Sequence, residues 1–204
     1  LTFVIGSVVC TFVIAFSLAW LVERTDLPWR NVLFTLILFP LLVPTIVLAI
    51  AWIYLFGPNA GWVNVALRSL LGLSGDGPLD VFTMPGLIAC QSVALVPFVF
   101  LLMSATLRTM SPALEEASST SGASPWTTFR RVTLPVLRPG MLAPLILTAL
   151  ITLEQFEMPL LVGLPARINV FSTRIFYELN PDTGLPIYGR AAAVALPFLV
   201  IGLL

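Results

Sequence analysis

Residues 1–22 read LTFVIGSVVCTFVIAFSLAWLV, and none of them is charged. A helical run of this length crosses a hydrocarbon core of about 30 Å, because an α-helix rises about 1.5 Å per residue. No basic leader and no small-residue cleavage site precede the charged stretch Glu23–Asp26, so a secretory signal peptide is a poor alternative. The stretch therefore predicts a membrane-spanning helix from Leu1 to Val22.

The composition of the whole chain also predicts a membrane protein. Of the 204 residues, 58% are hydrophobic and 10% are charged, and the mean hydropathy is +1.02. Soluble domains carry about 25% charged residues, so this chain has too few to cover a water-facing surface. We therefore expect an integral, all-α membrane protein.

Missing residue types exclude several kinds of site. The chain has no His, and all 10 basic residues are Arg. A nucleotide-binding P-loop needs its Lys, whereas imidazole metal sites and Ser–His or Cys–His nucleophiles need a His. Zero net charge without a basic run argues against nucleic acid as a partner. We expect no enzymatic activity, no metal site and no cofactor bound by this chain.

Four further apolar runs predict four further helices. They cover residues 32–56, 81–107, 139–153 and 191–204. Pro40 and Pro44 in the second run are tolerated in membrane helices, where neighbouring groups or water satisfy the freed carbonyls. The last run has 14 residues, which is too short to span, so we expect a truncated fifth helix in a piece of a longer protein.

The distribution of arginines predicts the orientation. Alternating spans place loops 23–31 and 108–138 on one side with six Arg residues, and loops 57–80 and 162–190 on the other side with four. Cytoplasmic loops carry more basic residues, so we expect loop 108–138 in the cytoplasm. The difference of two residues is small.

This long loop has the pattern of two short helices. Ser111-Pro112 marks the start of the first, with Ser111 as a cap for free amides, and Gly122 suits its end. Ser124-Pro125 starts the second helix, which runs to about Val132 and is ended by Leu134-Pro135. The residues alone also fit a simple connection with two interfacial amphipathic turns.

The same loop resembles the EAA motif of binding-protein-dependent ABC importer permeases. The family pattern is Glu-Ala-Ala, then Gly, then Ile, then Leu-Pro, and its spacing recurs here as Glu116-Ala117-Ser118, Gly122, Val132 and Leu134-Pro135. Ser118 in place of Ala and Val132 in place of Ile are the departures. The resemblance implies that the residues coupling this chain to an ATPase are Glu115, Glu116, Ala117, Ser118, Gly122, Val132, Leu134 and Pro135.

The resemblance also implies a fold, a location and partners. In this family a core of five transmembrane helices carries the coupling loop between the third and fourth helices. We therefore expect one permease domain over residues 1–204, with residues 108–139 as its cytoplasmic coupling loop, in the bacterial inner membrane. The implied partners are a dimer of ATPase subunits that holds ATP and Mg, a periplasmic solute-binding protein, a second permease half and membrane lipids.

Three shorter stretches, 19–28, 161–166 and 188–193, resemble the branch of the family that imports ferric iron. Permeases of that branch are often fused pairs, so the chain is interpreted as one half of such a pair, with the first half preferred. Ferric iron is the first expectation for the solute. Polyamine, sulfate, thiamine or phosphonate import by the same fold is the alternative.

Two hypotheses from other classes remain beside the permease. A gradient-driven secondary transporter needs internal repeats and ionisable groups near the bilayer midplane, and the sequence shows no repeat. A structural membrane scaffold needs neither feature. Co-purification of an ATPase distinguishes the permease from both.

Glu154 and Glu157 are the acidic residues inside a predicted span. Three residues apart on a helix, they would share one face, about 22 and 27 Å along the helix from Pro139. One interpretation is that they line the periplasmic solute entrance and offer hard oxygen ligands to a cationic solute. The other is that they face interfacial water or pair with an arginine such as Arg167.

Overall fold

The computed structural model describes residues 1–73, 75–181 and 184–203, with the side chains of 198 and 201–203 left out. Leu204, the last residue of the predicted fifth span, lies outside this range. Every regular element of the described residues is helical. The α-helices are α1 (Thr2–Arg24), α2 (Arg30–Leu38), α3 (Thr45–Phe56), α4 (Trp62–Leu71), α5 (Met84–Thr109), α6 (Ala113–Thr120), α7 (Pro125–Thr128), α8 (Leu134–Glu154), α9 (Phe171–Leu179) and α10 (Tyr188–Leu203).

Helices α1 and α5 form the centre of the bundle. Small residues at Ser7, Thr11, Ala15 and Ala19, one per turn of α1, are all 0% exposed. They let the two backbones approach closely, which is how helices pack in membranes. The Thr11 hydroxyl donates to the Ser92 carbonyl of α5 at 3.4 Å. We call these four residues the α1 stripe.

The second predicted span is not one straight helix. A 3₁₀ turn (Phe39–Leu42) follows α2, and the axis bends by 104° before α3. Pro44 accounts for the break, because it lacks an N–H and disfavours a helical conformation at the residue before it, whereas Phe39 before Pro40 stays helical with φ −52° and ψ −41°. Val43 is accordingly extended, with φ −103° and ψ 126°. The prediction of one helix over 32–56 is wrong in shape, although its ends are close to those observed.

The fourth predicted span starts earlier than expected. A π-helical turn (Phe129–Thr133) joins α7 directly to α8, so that 30 helical residues run from Pro125 to Glu154. Pro135 lies directly after the π turn, in which the Leu134 amide donates to the Phe129 carbonyl, and the helix continues through it. Leu134-Pro135 therefore does not end the second short helix, as the sequence pattern had predicted.

Three helices, α1, α5 and the 125–154 stretch, are long and apolar enough to cross a membrane. The bent pair α2–α3 makes a fourth if it counts as one span. The described chain is thus an all-helical membrane protein with three or four candidate spans. In the place of the predicted fifth span, α10 has 16 residues, fewer than the roughly 20 that a membrane helix needs.

A buried amide organises the 57–80 loop, at the end of α5 opposite to loop 108–138. Asn64 of α4 is 0% exposed. Its Nδ2 donates to the Gly57 carbonyl at 2.9 Å and the Leu79 carbonyl at 2.6 Å, and its Oδ1 accepts from the Leu79 amide at 3.1 Å. A Cβ at Gly77 would lie 2.2 Å from the Asn64 Cγ. One side chain therefore holds both ends of the loop.

Asn64→Asp is expected to lower the thermal unfolding midpoint of the detergent-purified protein. The substitution keeps the shape of the side chain but replaces its donor NH2 group by a carboxylate oxygen, which cannot donate to the Gly57 and Leu79 carbonyls. Each buried group left unpaired costs about 1–3 kcal/mol. Asn59→Asp is the matched control, because it makes the same chemical change at an exposed residue of the same loop. Equal midpoints for the two variants would contradict this role of Asn64.

Candidate functional site

The ends of α1 and α5 meet beside the long loop. Glu23, whose side chain is 5% exposed, accepts from Arg108 Nη2 at 2.8 Å and from Arg108 Nε at 2.9 Å. Arg30 Nη2 lies 3.6 Å from its other oxygen. Loops 23–31 and 108–138 therefore lie at the same end of the bundle, as the alternation of spans predicted.

Helix α6 and the glycine after it follow the predicted pattern at their C-terminal end. Gly122 has φ 81°, a left-handed conformation that side chains with a Cβ rarely adopt. Its amide donates to the Ser119 carbonyl at 2.9 Å, and a Cβ added at this position would have no atom within 4 Å. The glycine thus serves the backbone turn and leaves an open surface.

The start of α6 differs from the prediction. No side-chain hydrogen bond caps the helix, and Pro112 precedes the first helical residue. The Ser111 carbonyl accepts from the Leu114 amide at 3.3 Å, and the Pro112 carbonyl accepts from the Glu115 amide at 2.9 Å. Backbone carbonyls therefore take the place of the predicted Ser111 cap.

Glu115 points toward the membrane helices. Its Oε2 lies 3.3 Å from Arg24 Nε, and its Oε1 accepts from the hydroxyl of the fully buried Thr133 at 2.8 Å. Arg24 Nη2 also donates to the carbonyls of Leu107 at 2.8 Å and Met110 at 3.0 Å. This cluster, which we call the Arg24 network, joins α1, α5, α6 and the π turn before α8.

Sequence reasoning did not identify Arg24 or Thr133 as part of the site. Arg24 is the last residue of α1, where a cation is favoured by the helix dipole. That signal explains a charge at this position but not its partner, which lies in another part of the chain. Thr133 sits between two motif residues, Val132 and Leu134, and belongs to the motif's spacer.

The rest of α6 faces outward. Glu116 and Ala117 are exposed, and the Glu116 carboxylate has no hydrogen bond or ion pair with any residue that the structure describes. Leu114 is 45% exposed and Trp126 of α7 is 68% exposed. We call Leu114, Glu116, Ala117, Gly122 and Trp126 the outer face of the loop. It combines apolar side chains with one unpaired carboxylate.

Two serine hydroxyls, one on either side of Gly122, anchor the loop. The Ser118 hydroxyl lies 2.9 Å from the Thr128 hydroxyl, a bond that the Ala of the family pattern could not make. Ser124 caps α7 by accepting from the Thr127 amide, as predicted for Ser124-Pro125. Val132 and Leu134 are half-buried and Pro135 is exposed.

An aromatic group fixes α7 against α1. The Phe129 ring lies 5.3 Å from that of Trp20, edge to face, and stacks on that of Trp126 at 5.6 Å. Aromatic pairs in such geometries contribute about 0.5–1.5 kcal/mol each beyond the area they bury. The inner side of the loop is therefore held by apolar packing at α7 and by polar contacts at α6.

Glu154 and Glu157 do not share one helix face. Helix α8 ends at Glu154, and Gln155 has left the helical conformation with ψ 126°, so Glu157 lies beyond the break. Because α8 has 21 residues, Glu154 lies about 30 Å from the loop end at about 1.5 Å per residue. Both acids thus lie at the bundle end opposite to loop 108–138.

Pairing of these acids with Arg167, which is part of one of the two interpretations, is not seen among the described residues. Neither carboxylate has an ion pair or hydrogen bond among the described residues, where Arg174 pairs with Glu178 at 2.6 Å instead. Glu154 is exposed and Glu157 is half-buried. In the same part of the chain, no group of three or more His, Cys, Asp or Glu side chains could hold a metal ion.

Residues 11–204 match the family model of the binding-protein-dependent transport system inner membrane component. The sulfate transport system permease protein CysW of Escherichia coli K12 is 27% identical over 187 residues, which cover 90% of this chain and 61% of CysW. The putative ferric transport system permease protein FbpB 1 of Haemophilus influenzae is 26% identical over 166 residues, covering 80% of this chain and 26% of that protein. The chain thus spans about three fifths of CysW.

Two solved structures share the fold. One is a bacterial alginate ABC transporter in complex with alginate pentasaccharide-bound periplasmic protein, with TM-score 0.76 and 23% identity over 99% of this chain and 74% of that chain. The other is the MetNI methionine ABC transporter in an inward-facing conformation, with TM-score 0.58 and 20% identity over 98% of this chain and 84% of that chain. At these identities the likeness shows the fold alone.

Proposed function

Since this chain belongs to the family of binding-protein-dependent transport system inner membrane components, we propose that it forms one half of the solute pathway of an ABC importer. It is a multi-pass permease component of the inner membrane, and the ATPase is a separate subunit. We further propose that residues 1–204 form one permease domain, with residues 108–139 as its cytoplasmic coupling loop. Its five-helix core would consist of α1, the α2–α3 pair, α5, α8 and α10.

The observation that supports this function best is the two-sided construction of α6. Its outer face leaves Glu116 without a partner among the described residues, whereas Glu115 on its inner side reaches Arg24 and Thr133. A helix built in this way can contact a cytoplasmic partner on one side and the membrane helices on the other. Closure of the ATPase dimer would then displace α6, and the spans would rock between outward-open and inward-open states.

The continuity of α7 with α8 gives this movement a second route. The π turn (Phe129–Thr133) joins α7 of the loop to α8 without a break, so that one helical stretch runs from Pro125 to Glu154. A displacement of α7 therefore acts directly on a helix that reaches the opposite end of the bundle, where Glu154 lies. We propose that this helix carries the movement from the coupling loop to the solute entrance.

Ferric iron is the solute that we propose first. Its support is the resemblance of residues 19–28, 161–166 and 188–193 to the iron branch, together with two acids without protein partners among the described residues at the outer end. Carboxylate oxygens suit a hard cation. Sulfate import is the second candidate, because the CysW match covers 90% of this chain, while polyamine, thiamine or phosphonate import uses the same fold.

Co-purification tests the proposed function. The protein, tagged and extracted from its own membranes in mild detergent, is expected to retain an ATPase subunit with a P-loop. ATP with vanadate should then trap the complex, and uptake into vesicles should require ATP on the ATPase side. Recovery without any ATPase, together with uptake that an uncoupler abolishes, would show a gradient-driven transporter instead.

A further inference from the structure

Helix α6 is held to the bundle by few contacts. None of its residues is buried, so apolar packing does not fix it. Among the described residues, its side chains reach other elements through Glu115, which contacts Arg24 and Thr133, and through Ser118, which contacts Thr128. These polar contacts and the backbone at its two ends are therefore routes by which a force on α6 reaches the bundle.

The backbone between α5 and α6 is short but is not helical. Helix α5 ends at Thr109, and α6 starts at Ala113. Met110 between them is extended, with φ −80° and ψ 123°. A segment of this kind can rotate and absorb a displacement of α6 before it reaches α5, unless another group holds it in place.

The Met110 side chain packs in the core, and the backbone around it is held by Arg24. Its side chain is 11% exposed, and Nη2 donates to the carbonyls of Leu107 and Met110, which lie on both sides of the end of α5. Its Nε lies 3.3 Å from Glu115 Oε2, which makes an ion pair without hydrogen-bond geometry. Because guanidinium is planar with donors in a fixed fork, the three contacts constrain one another. The Arg24 guanidinium thus contacts the α5–α6 connection and also ties α6 to α1. These two helices are not consecutive in the chain, so no short backbone segment joins them.

We propose that Arg24 is the positioning residue that makes α1 and α5 move together with α6, a role that rests on the proposed function. Without the guanidinium, α6 stays attached to α7 and α8 through residues 121–124 and Met110 stays packed in the core, but neither α6 nor the backbone after α5 is tied to α1 by Arg24. ATPase closure then moves α6 relative to α1 instead of carrying α1 with it.

A distance measurement between α6 and α1 tests the proposal without knowledge of the solute. Spin labels at Ser119→Cys on α6 and Ser17→Cys on α1, both exposed positions, are placed in the full transporter lacking Cys10 and Cys90. Electron–electron double resonance is recorded for the resting complex and for the complex trapped with ATP and vanadate. We expect one unchanged distance in the wild type, and a shifted and broadened distribution on trapping in Arg24→Gln.

Two further variants separate positioning from stability. Glu115→Gln removes the ion pair but keeps the carbonyl contacts of Arg24 and an acceptor for Thr133, so it should fold normally and also shift on trapping. Arg30→Gln is the matched control, because Arg30 pairs with Glu23 at the same end but is 51% exposed and is not part of the Arg24 network. It should behave as the wild type.

The proposal is overturned if trapping leaves the α6–α1 distance unchanged in Arg24→Gln or in Glu115→Gln. It is also overturned if trapping shifts this distance by the same amount in the wild type. A distribution already broadened to the same extent in the resting Glu115→Gln complex shows a purely structural role and overturns it too. Loss of the ATPase from the wild-type complex is a different result, because it removes the proposed function together with this inference.

Discussion

Gly122→Val is expected to lower ATP-driven uptake by the assembled transporter by about tenfold or more, a change within the range of known coupling energies. Gly122 has φ 81°, and forcing an L-residue into the left-handed region costs roughly 1–2 kcal/mol, more for a β-branched side chain. The turn would shift, and the added side chain would project from the outer face, where we propose that the ATPase docks. Uptake of radiolabelled ferric iron from the purified binding protein into proteoliposomes measures the effect.

The chain offers a matched control for this substitution. Gly72 also has a positive φ, 64°, and also has no atom within 4 Å of an added Cβ, but it lies in the 57–80 loop at the opposite end. Gly72→Val should therefore impose a similar backbone cost and leave uptake close to the wild-type rate. Glu116→Ala, which removes the unpaired carboxylate, should reduce ATPase retention. Normal abundance and normal uptake in both Gly122→Val and Glu116→Ala would show that the coupling assignment is wrong.

Replacing both outer acids, Glu154→Gln with Glu157→Gln, is expected to abolish most ferric iron uptake while abundance and ATPase retention stay normal. The amides keep shape and hydrogen-bonding capacity but remove two negative charges from a region where neither carboxylate has a protein partner among the described residues. Because α8 ends between them, the two acids need not act equally. Glu154, which is exposed, should account for the larger loss when Glu154→Gln is measured alone.

Asp76→Asn is the control for the loss of an acid at this end, since Asp76 is exposed in the 57–80 loop. Its uptake should match the wild type, and the initial rate at limiting ferric iron is the quantity to compare. Unchanged uptake in the double variant would remove the acids from the entrance. Lost abundance of the double variant would assign the two acids a structural role. Sulfate uptake without iron uptake, in the wild type and in every variant, would favour sulfate as the solute.

The sequence predicts where spans lie better than it predicts their shape. Runs without charge locate α1 and α5 to within a few residues. The reason is that a membrane span needs a run of apolar residues, which is visible in the sequence itself. The span bends by 104° at Pro44, whereas Pro139 and Pro144 lie inside α8 without ending it. Which of these happens depends on neighbouring residues that the local sequence pattern does not contain.

The loop shows the same division between local and distant information. Gly122 and Ser124-Pro125 act within one turn of their own helix, so their backbone roles follow from the residue types. The partner of Glu115 is Arg24, the last residue of α1. The two residues are far apart in the sequence, and only the packing of α1 on α5 brings them together. Similarly, periodicity alone put Glu154 and Glu157 on one face, since it carried no sign that α8 stops at Glu154.

The α1 stripe has a consequence for how the protein is made. Helix α1 is complete at residue 24 and α5 starts at residue 84, and ribosomes add about 5–20 residues per second. For several seconds, then, Ser7 and Thr11 have no α5 to pack against, and the stripe faces either lipid or the insertion machinery. The delay is longer for Arg24, because the Leu107 and Met110 carbonyls that it binds are synthesised 83 and 86 residues later. The synthesis of α5 is therefore the step at which α1 gains its native neighbours, and a nascent chain stopped before residue 84 should expose α1 to membrane quality control.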